Sequence, residues 1–514
     1  MTYCNNASGM EMTMSENIQK ISSATNNRKS NENVHPVTQL LLEIEHFCKS
    51  TNTAESTFGR QCVNDGKLCS RLRAGRNVTV NTAQKIRSYI SANSNINYAG
   101  STIRTNSRLA DVPHLITHTR PTQKRHFRFY DHRQKYLAFV NTCNEKWKIG
   151  ERAAHELSHV HPNPPALRLF DAGLGDGSVL SYLLRTMHRR FPTIPFFVVA
   201  KEISLEDVRL SLEKLPDRFI EHPSSVIVLT NLYYTEAPWL MPSDVTSAAA
   251  LNWHELSLQG GSAQEYGEQL RAIDDILVNG WEVRASSKTA NPLYVRPSVL
   301  VIFREDNRFL LDSVIPRRGQ VEGNYDLILA AQPWRARMDA TFKVKKVLAP
   351  LVRALSPGGR MLSVQSYGQD PGLELVREIW PEENPFTDNR HALLKVLKDI
   401  LGRSAANYNF NAGSDNKSIL RYEMHTLPSE IAESIGTSTL FAAWNASIYV
   451  SQIEDERLEP IITSGAYLES TAKILQKHNG MWFNDETFVV SRRRNTTRVG
   501  STISSAINGG SIDV

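Results

Sequence analysis

Residues 171–177 read Asp-Ala-Gly-Leu-Gly-Asp-Gly, between an apolar run at 166–170 and an amphipathic run at 178–187. Three glycines in seven residues, flanked by a strand pattern and a helix pattern, constrain this chain more than any other stretch. They predict a strand, a tight turn and a helix, the opening unit of a nucleotide-binding α/β sheet. Glycine suits such a turn because it reaches backbone angles closed to other residues. It also admits a ligand without a Cβ in the way.

The sequence after this unit repeats the same alternation. Short apolar, β-branched runs at 196–200, 225–230, 325–330 and 360–364 read as buried parallel strands, with helical segments such as 341–355 between them. The expected fold is α/β, a doubly wound Rossmann-like sheet. The stretch 233–324 is too long for an ordinary connection and reads as an insertion, a candidate lid, with a helix near 263–278 and a strand near 298–303. Further strands are expected at 419–425 and 488–491, and helices at 133–160, 439–452 and 467–478.

The glycines at 173, 175 and 177 give GxGxG rather than the GxGxxG of dinucleotide-binding folds, with an aspartate immediately before the first. This Asp-x-Gly-x-Gly-x-Gly resembles motif I of class I S-adenosylmethionine-dependent methyltransferases. A nicotinamide enzyme is the competing nucleotide reading. The resemblance implies a methyltransferase-like domain over 130–494, S-adenosyl-L-methionine as cofactor, and a loop (Asp171, Gly173, Leu174, Gly175, Gly177) under its methionine part. It also implies a ribose-binding carboxylate at the end of the second strand, where Glu202 stands, and a polar residue near the adenine, where Asn231 follows the third. The Pro357-Gly358-Gly359 turn before a later strand fits the same pattern. Methyl transfer to amino groups in this family often uses Asp/Asn-Pro-Pro-aromatic after the fourth strand. Here Ala331-Gln332-Pro333-Trp334 keeps only the Pro-aromatic pair, so Gln332, Pro333 and Trp334 are the acceptor-side candidates. No catalytic base is assignable, because the activated methyl needs positioning more than proton chemistry.

His155-Glu156-Leu-Ser-His159 matches HExxH, in which two histidines on one helix face bind zinc. The run ends at Pro162, Pro164 and Pro165 without a further ligand motif, so no metal is expected there.

Charge is uneven. Residues 1–130 hold 17 Lys/Arg against 8 Asp/Glu, whereas the remainder holds 42 against 45. A basic N-terminal third suggests an acidic partner such as DNA. Residues 37–93 predict a small all-α domain. Within it, helices at 54–63 and 67–73 flank Asn64-Asp65-Gly66 and resemble the helix-turn-helix of phage-repressor-like factors. Leu68 and Leu72 then face inward, leaving Lys67, Ser70, Arg71, Arg73 and the following Arg76 to meet DNA. Residues 1–36, 94–129 and 495–514 have the polar composition of a disordered leader, a linker and a disordered tail.

Five scattered cysteines with no CxxC pair, and no long apolar run, predict a reduced cytoplasmic protein without a membrane span. The competing functional class is a DNA-binding regulator whose Rossmann-like domain senses a nucleotide without catalysis.

Overall fold

The computed structural model describes residues 36–93, except 52, 75–77 and 79, and residues 133–494, except 287–291, 427 and 433–434. The expected leader, linker and tail, and Arg76, lie outside the described residues. The chain divides into two units, 1–118 and 119–514.

In the first unit, four helices pack together: α1 (Pro36–Ser50), α2 (Glu55–Val63), α3 (Leu68–Arg73) and α4 (Val80–Asn93). Leu40, Ile44 and Phe47 of α1 meet Phe58, Leu68, Leu72 and Ile86 in one buried cluster. The Phe58 ring stands 5.4 Å from Phe47 in a tilted contact and 5.5 Å from Tyr89 edge to face, the latter a favoured arrangement of aromatic rings. Asn64 ends α2 in the left-handed conformation (φ 56°), and its N–H reaches back to the Arg60 carbonyl.

The second unit opens with α5 (Arg133–Thr142) and α6 (Glu145–Glu156). Then follow β1 (Leu167–Asp171), α7 (Ser178–Arg190), β2 (Phe196–Lys201), α8 (Leu205–Leu212) and β3 (Ser225–Thr230). The remaining strands are β4 (Asn252–Leu258), β5 (Val283–Ala285), β6 (Pro292–Tyr294), β7 (Ser298–Arg304), β8 (Tyr325–Ala331), β9 (Leu355–Ser366), β10 (Tyr408–Asn411), β11 (Ile419–Glu423) and β12 (Trp482–Arg492). The main sheet runs β10-β12-β9-β8-β1-β2-β3-β7-β4, with β11 also on β12; β5 and β6 form a separate ribbon.

The five strands β9-β8-β1-β2-β3 are parallel, and β12 and β7 flank them antiparallel. Strands β2 and β3 are buried at every residue, which explains why they read as unbroken apolar runs. Helix α7 turns Val179, Leu180, Leu183, Leu184 and Met187 onto the sheet and ends in His188-Arg189-Arg190, favourable at a helix C-terminus. Apolar clusters cover both sheet faces. Removing one fully buried ring such as Phe170 costs about 3–5 kcal/mol. Chain order reverses between β1 and β8, because the chain steps outward through β2 and β3 and then returns to the other side of β1. In open α/β sheets ligands bind at the strand C-termini beside such a reversal.

Three expectations change. The long insertion does not stand apart as a lid: β7 pairs with β3 and β4 pairs with β7, so it widens the sheet. The Pro-Gly-Gly turn lies inside β9, where the ladder to β8 slips register and Gly358 takes φ 86°. The helix expected across 133–160 breaks at Cys143-Asn144, where the Asn144 amide donates to the Glu423 carbonyl of β11 and the Asn144 side-chain oxygen accepts from the Glu423 amide. Among the described residues no helix is long and apolar enough to cross a membrane.

Candidate functional site

The Asp171–Gly177 loop leaves β1 next to the reversal point. Every amide from Gly173 to Ser178 is bonded within the chain. Gly173 donates to Asp171 Oδ1 (3.2 Å), Gly175 to Glu202 Oε2 (2.9 Å), and Ser178 to Asp176 Oδ1 (3.3 Å). Leu174 donates to the Lys201 carbonyl (3.1 Å), Gly177 to that of Leu174 (3.0 Å), and Asp176 to the Tyr136 hydroxyl oxygen (3.2 Å). Gly175 and Gly177 have φ 52° and 77°, and a Cβ on Gly177 would fall 2.7 Å from Ser211 Cβ. The sequence reading of this turn as glycine-dependent thus has a steric cause.

Glu202, just past the end of β2, is the anchor of this arrangement. Besides Gly175, it accepts the Ile203 amide (2.7 Å) and the Ser204 amide (2.9 Å) on Oε1. A carboxylate has about four acceptor positions, so one remains on Oε2. The Trp281 indole, from the insertion, donates to the Glu202 carbonyl at 2.8 Å.

Asp171 is 1% exposed, and its Oδ2 has no hydrogen-bond partner. Burial pushes its pKa up to about 6, with Glu202 adding repulsion. Asp207 goes further, to about 7, through burial and the same neighbour. Asp176 behaves oppositely. Burial opposes its charge, but the Ser178 hydroxyl and Lys214 prevail and hold it below the usual range. Lys214 also donates to the Asp176 carbonyl at 2.6 Å.

On the α5–α6 side, Lys146 lies 3.3 Å from Glu145 Oε2 and 5.6 Å from the Tyr136 ring centre. Burial disfavours its charge, yet Glu145 and Tyr136 outweigh this and keep its pKa well above the ordinary value. Lys146 is within electrostatic reach of Asp171, Asp176 and Asp485 alike. Asp485 of β12 is fully buried with both carboxylate oxygens unbonded. Burial and Glu145 push its pKa well up, partly offset by the nearby Gln332 amide.

Several expected site residues take other roles. Leu174 is buried in the core under α7 and offers no side chain to a ligand. Asn231 is fully buried, and its side chain is spent: the amide donates to the Gly280 and Arg296 carbonyls, and Oδ1 accepts from Ser298. It ties the insertion to β3 and has no donor left for an adenine. Trp334 is 6% exposed, packed in the core with its indole donating to Gln365 Oε1 at 3.2 Å. The cavity it shares with Gln332, Lys343 and Asp388 is about 10 Å³, room for one water rather than a methyl acceptor. The Pro333 carbonyl accepts from the Tyr234 hydroxyl, and Gln332 (φ 49°) bonds Ser366 through both ends of its amide. The acceptor-side motif is therefore structural apart from the Gln332 amide edge near Asp485.

Tyr136, Glu145, Lys146 and Asp485 were not anticipated. One signal existed: Asn484-Asp485-Glu486 places three polar residues in the middle of an apolar strand.

His155 and His159 are exposed, while Glu156 between them is buried against Arg152 and Arg360, each at 2.7 Å. The HExxH glutamate fastens α6 to β9. Among the described residues no group of three His, Cys, Asp or Glu side chains could hold a metal.

In the N-terminal unit, Lys67, Ser70, Arg71 and Arg73 are exposed, as the helical spacing requires. Arg71 pairs with Asp65, and Arg73 pairs with Glu45 (2.7 Å) and Glu55. Both guanidiniums are thus already matched by acids of the same bundle.

No family model and no curated protein matches the chain. Among solved structures, it is similar to geranyl diphosphate methyltransferase in complex with GPP and sinefungin, at 13% identity over 66% of this chain and 78% of that one (TM-score 0.26). It is similar to the [4+2]-cyclase SpnF at 10% identity, over 67% and 81% (TM-score 0.24). PKMT2 from Rickettsia typhi aligns at 10% identity, over 68% and 54% (TM-score 0.25).

Proposed function

We propose that the second unit is a methyltransferase that uses S-adenosylmethionine. The observation that carries this reading is the pairing state of the glycine loop. A dinucleotide places its pyrophosphate on free amides at a helix N-terminus. Here all six amides from Gly173 to Ser178 are occupied, three of them by the loop's own acids or Glu202. Asp171, Asp176, Glu202 and Asp207 would also repel a phosphate. A cationic, phosphate-free nucleoside suits the same surroundings.

The residues present fit S-adenosylmethionine. The unbonded Asp171 Oδ2 would accept from its α-ammonium, because a buried carboxylate oxygen needs a charged donor. Glu202 would keep its loop amides and offer the remaining position on Oε2 to a ribose hydroxyl. When bound, the cofactor supplies a methyl group already activated on a sulfonium. Tyr136 and α5 close over the loop and hold it in place, so the protein's part is chiefly orientation and exclusion of water.

Calorimetry with S-adenosylmethionine and with NAD tests this reading. Binding of the former alone is expected; binding of NAD alone overturns it. Formation of S-adenosylhomocysteine with an acceptor would separate an enzyme from a ligand sensor.

A further inference from the structure

We propose that the buried acids beside Asp171 receive a basic nitrogen, so that the methyl acceptor is an amine bound by Asp485 and Glu145. This rests on the methyltransferase reading above.

The two acids meet through the fold. Asp485 stands opposite Ser366 in the β9–β12 ladder, and Ser366 is bonded to Gln332 at the end of β8. On its other side Asp485 stands opposite Leu420 of β11. Further along β11, Glu423 exchanges hydrogen bonds with Asn144, the residue before Glu145. The glycine loop approaches from β1, where a Cβ on Gly173 would lie 3.3 Å from the Ala331 carbonyl oxygen of β8. Asp171, Glu145 and Asp485 therefore gather around Lys146 at the C-terminal edge of the sheet.

The orphaned state of Asp485 is selective. Its neighbour Asn484 donates its side-chain amide to the Gln369 carbonyl (3.1 Å), and Glu486 accepts from Arg390 (3.1 Å) and Gln365 (2.7 Å). Glu145 Oε2 faces Lys146 at 3.3 Å, but Asp485, with the Gln332 amide nearby, has neither oxygen in a close hydrogen bond at zero exposure. A buried carboxylate left this way is costly unless a ligand completes it. Lys146 is the cation placed among the three acids, and it is held by Glu145. The cofactor's ammonium would answer Asp171, which leaves Asp485 as an acid whose burial favours the protonated form until a cation arrives. A carboxylate or phosphate acceptor would add another acid to the group. An alcohol brings no charge to ionise Asp485. An amine supplies both N–H donors and positive charge.

The bound ammonium first gives one proton to the Asp485 carboxylate, which frees the nitrogen lone pair. That pair forms the new N–C bond to the methyl carbon while the C–S bond breaks and its electron pair stays on sulfur. The product leaves as the methylated ammonium, and Asp485 returns its proton to water. A buried carboxylate whose pKa lies well above that of a solvated one is the better base for this transfer.

The test uses three probes of one shape, propylamine, propan-1-ol and propionate, titrated by ligand-observed NMR into the full chain saturated with S-adenosylhomocysteine. Propylamine is expected to bind about tenfold more tightly than the alcohol, with propionate weakest. In Asp485→Asn, which keeps shape and removes charge, this preference should shrink to about twofold, and Glu145→Gln should reduce it in part. Equal binding of amine and alcohol by the wild type, tighter binding of propionate, no binding of propylamine, or a preference that Asp485→Asn leaves intact overturns the inference. If the wild type fails to bind S-adenosylmethionine or S-adenosylhomocysteine at all, the parent reading falls instead.

Discussion

The Gly175 amide donates to Glu202 Oε2 at 2.9 Å, binding the glycine loop after β1 to the residue after β2. Glu202→Ala removes this bond and those from Ile203 and Ser204. Hydrogen bonds to a charged acceptor contribute about 1.5–3 kcal/mol each, and water replaces part of that at a half-exposed site, so a loss of about 2–4 kcal/mol is expected. S-adenosylmethionine affinity should fall at least tenfold. Thermal unfolding and calorimetry read both effects, and unchanged values for both would remove Glu202 from its role.

Asp171 predicts opposite effects on stability and binding. Its pKa is about 6 when folded against an ordinary 3.8. The folded protein therefore favours the protonated form. That stability is fully present below pH 3.8 and is lost as pH rises through about 6, a cost near 3 kcal/mol at neutral pH. Asp171→Asn should unfold at a higher temperature than wild type at pH 7.5, with the difference vanishing near pH 4. Wild-type affinity for S-adenosylmethionine should climb between pH 5 and 7, whereas the variant should bind weakly without that slope. A pH-independent wild type would count against an ionised Asp171 as ligand.

Gly177→Ala should destabilise strongly. The new Cβ would sit 2.7 Å from Ser211 Cβ at a residue with φ 77°. Strain and overlap together amount to about 2–5 kcal/mol. Gly261→Ala is the control, since no atom lies within 4 Å of its added Cβ. Similar unfolding temperatures for the two variants would contradict the packing described.

Asn231→Ala separates a structural from a ligand-binding residue. It strands the Ser298 amide and leaves the Gly280 and Arg296 carbonyls only the Ser298 hydroxyl. Stability should drop by about 2–4 kcal/mol. At a temperature where the variant remains folded, cofactor affinity should stay within about threefold of wild type. A large affinity loss with little change in unfolding temperature would return Asn231 to the site.

The glycine loop and the acid after β2 were legible because their meaning is local: a turn that needs φ above zero, and a carboxylate at a strand end. Asn231 misled because its partners come from residues 280, 296 and 298, within an insertion whose path the sequence does not reveal. Strand β4, Asn-Trp-His-Glu-Leu-Ser-Leu, was missed because an edge strand needs no apolar run. That strand is also why the insertion extends the sheet. Asp485 was invisible for a related reason. Its isolation arises from β12 being wedged at that point between β9 and β11, strands drawn from distant parts of the chain. A charge within a strand pattern does not announce which neighbours it will lack.

The complete internal pairing of the loop amides has a kinetic and entropic meaning. A phosphate-cradling loop commonly waits for its ligand before its backbone is satisfied. Here the backbone from Gly173 to Ser178 is satisfied beforehand. The ligand meets a surface that is already set, so little ordering entropy opposes association. Recognition then falls to the few carboxylate oxygens left open, and discrimination among nucleosides becomes a matter of charge rather than of loop closure.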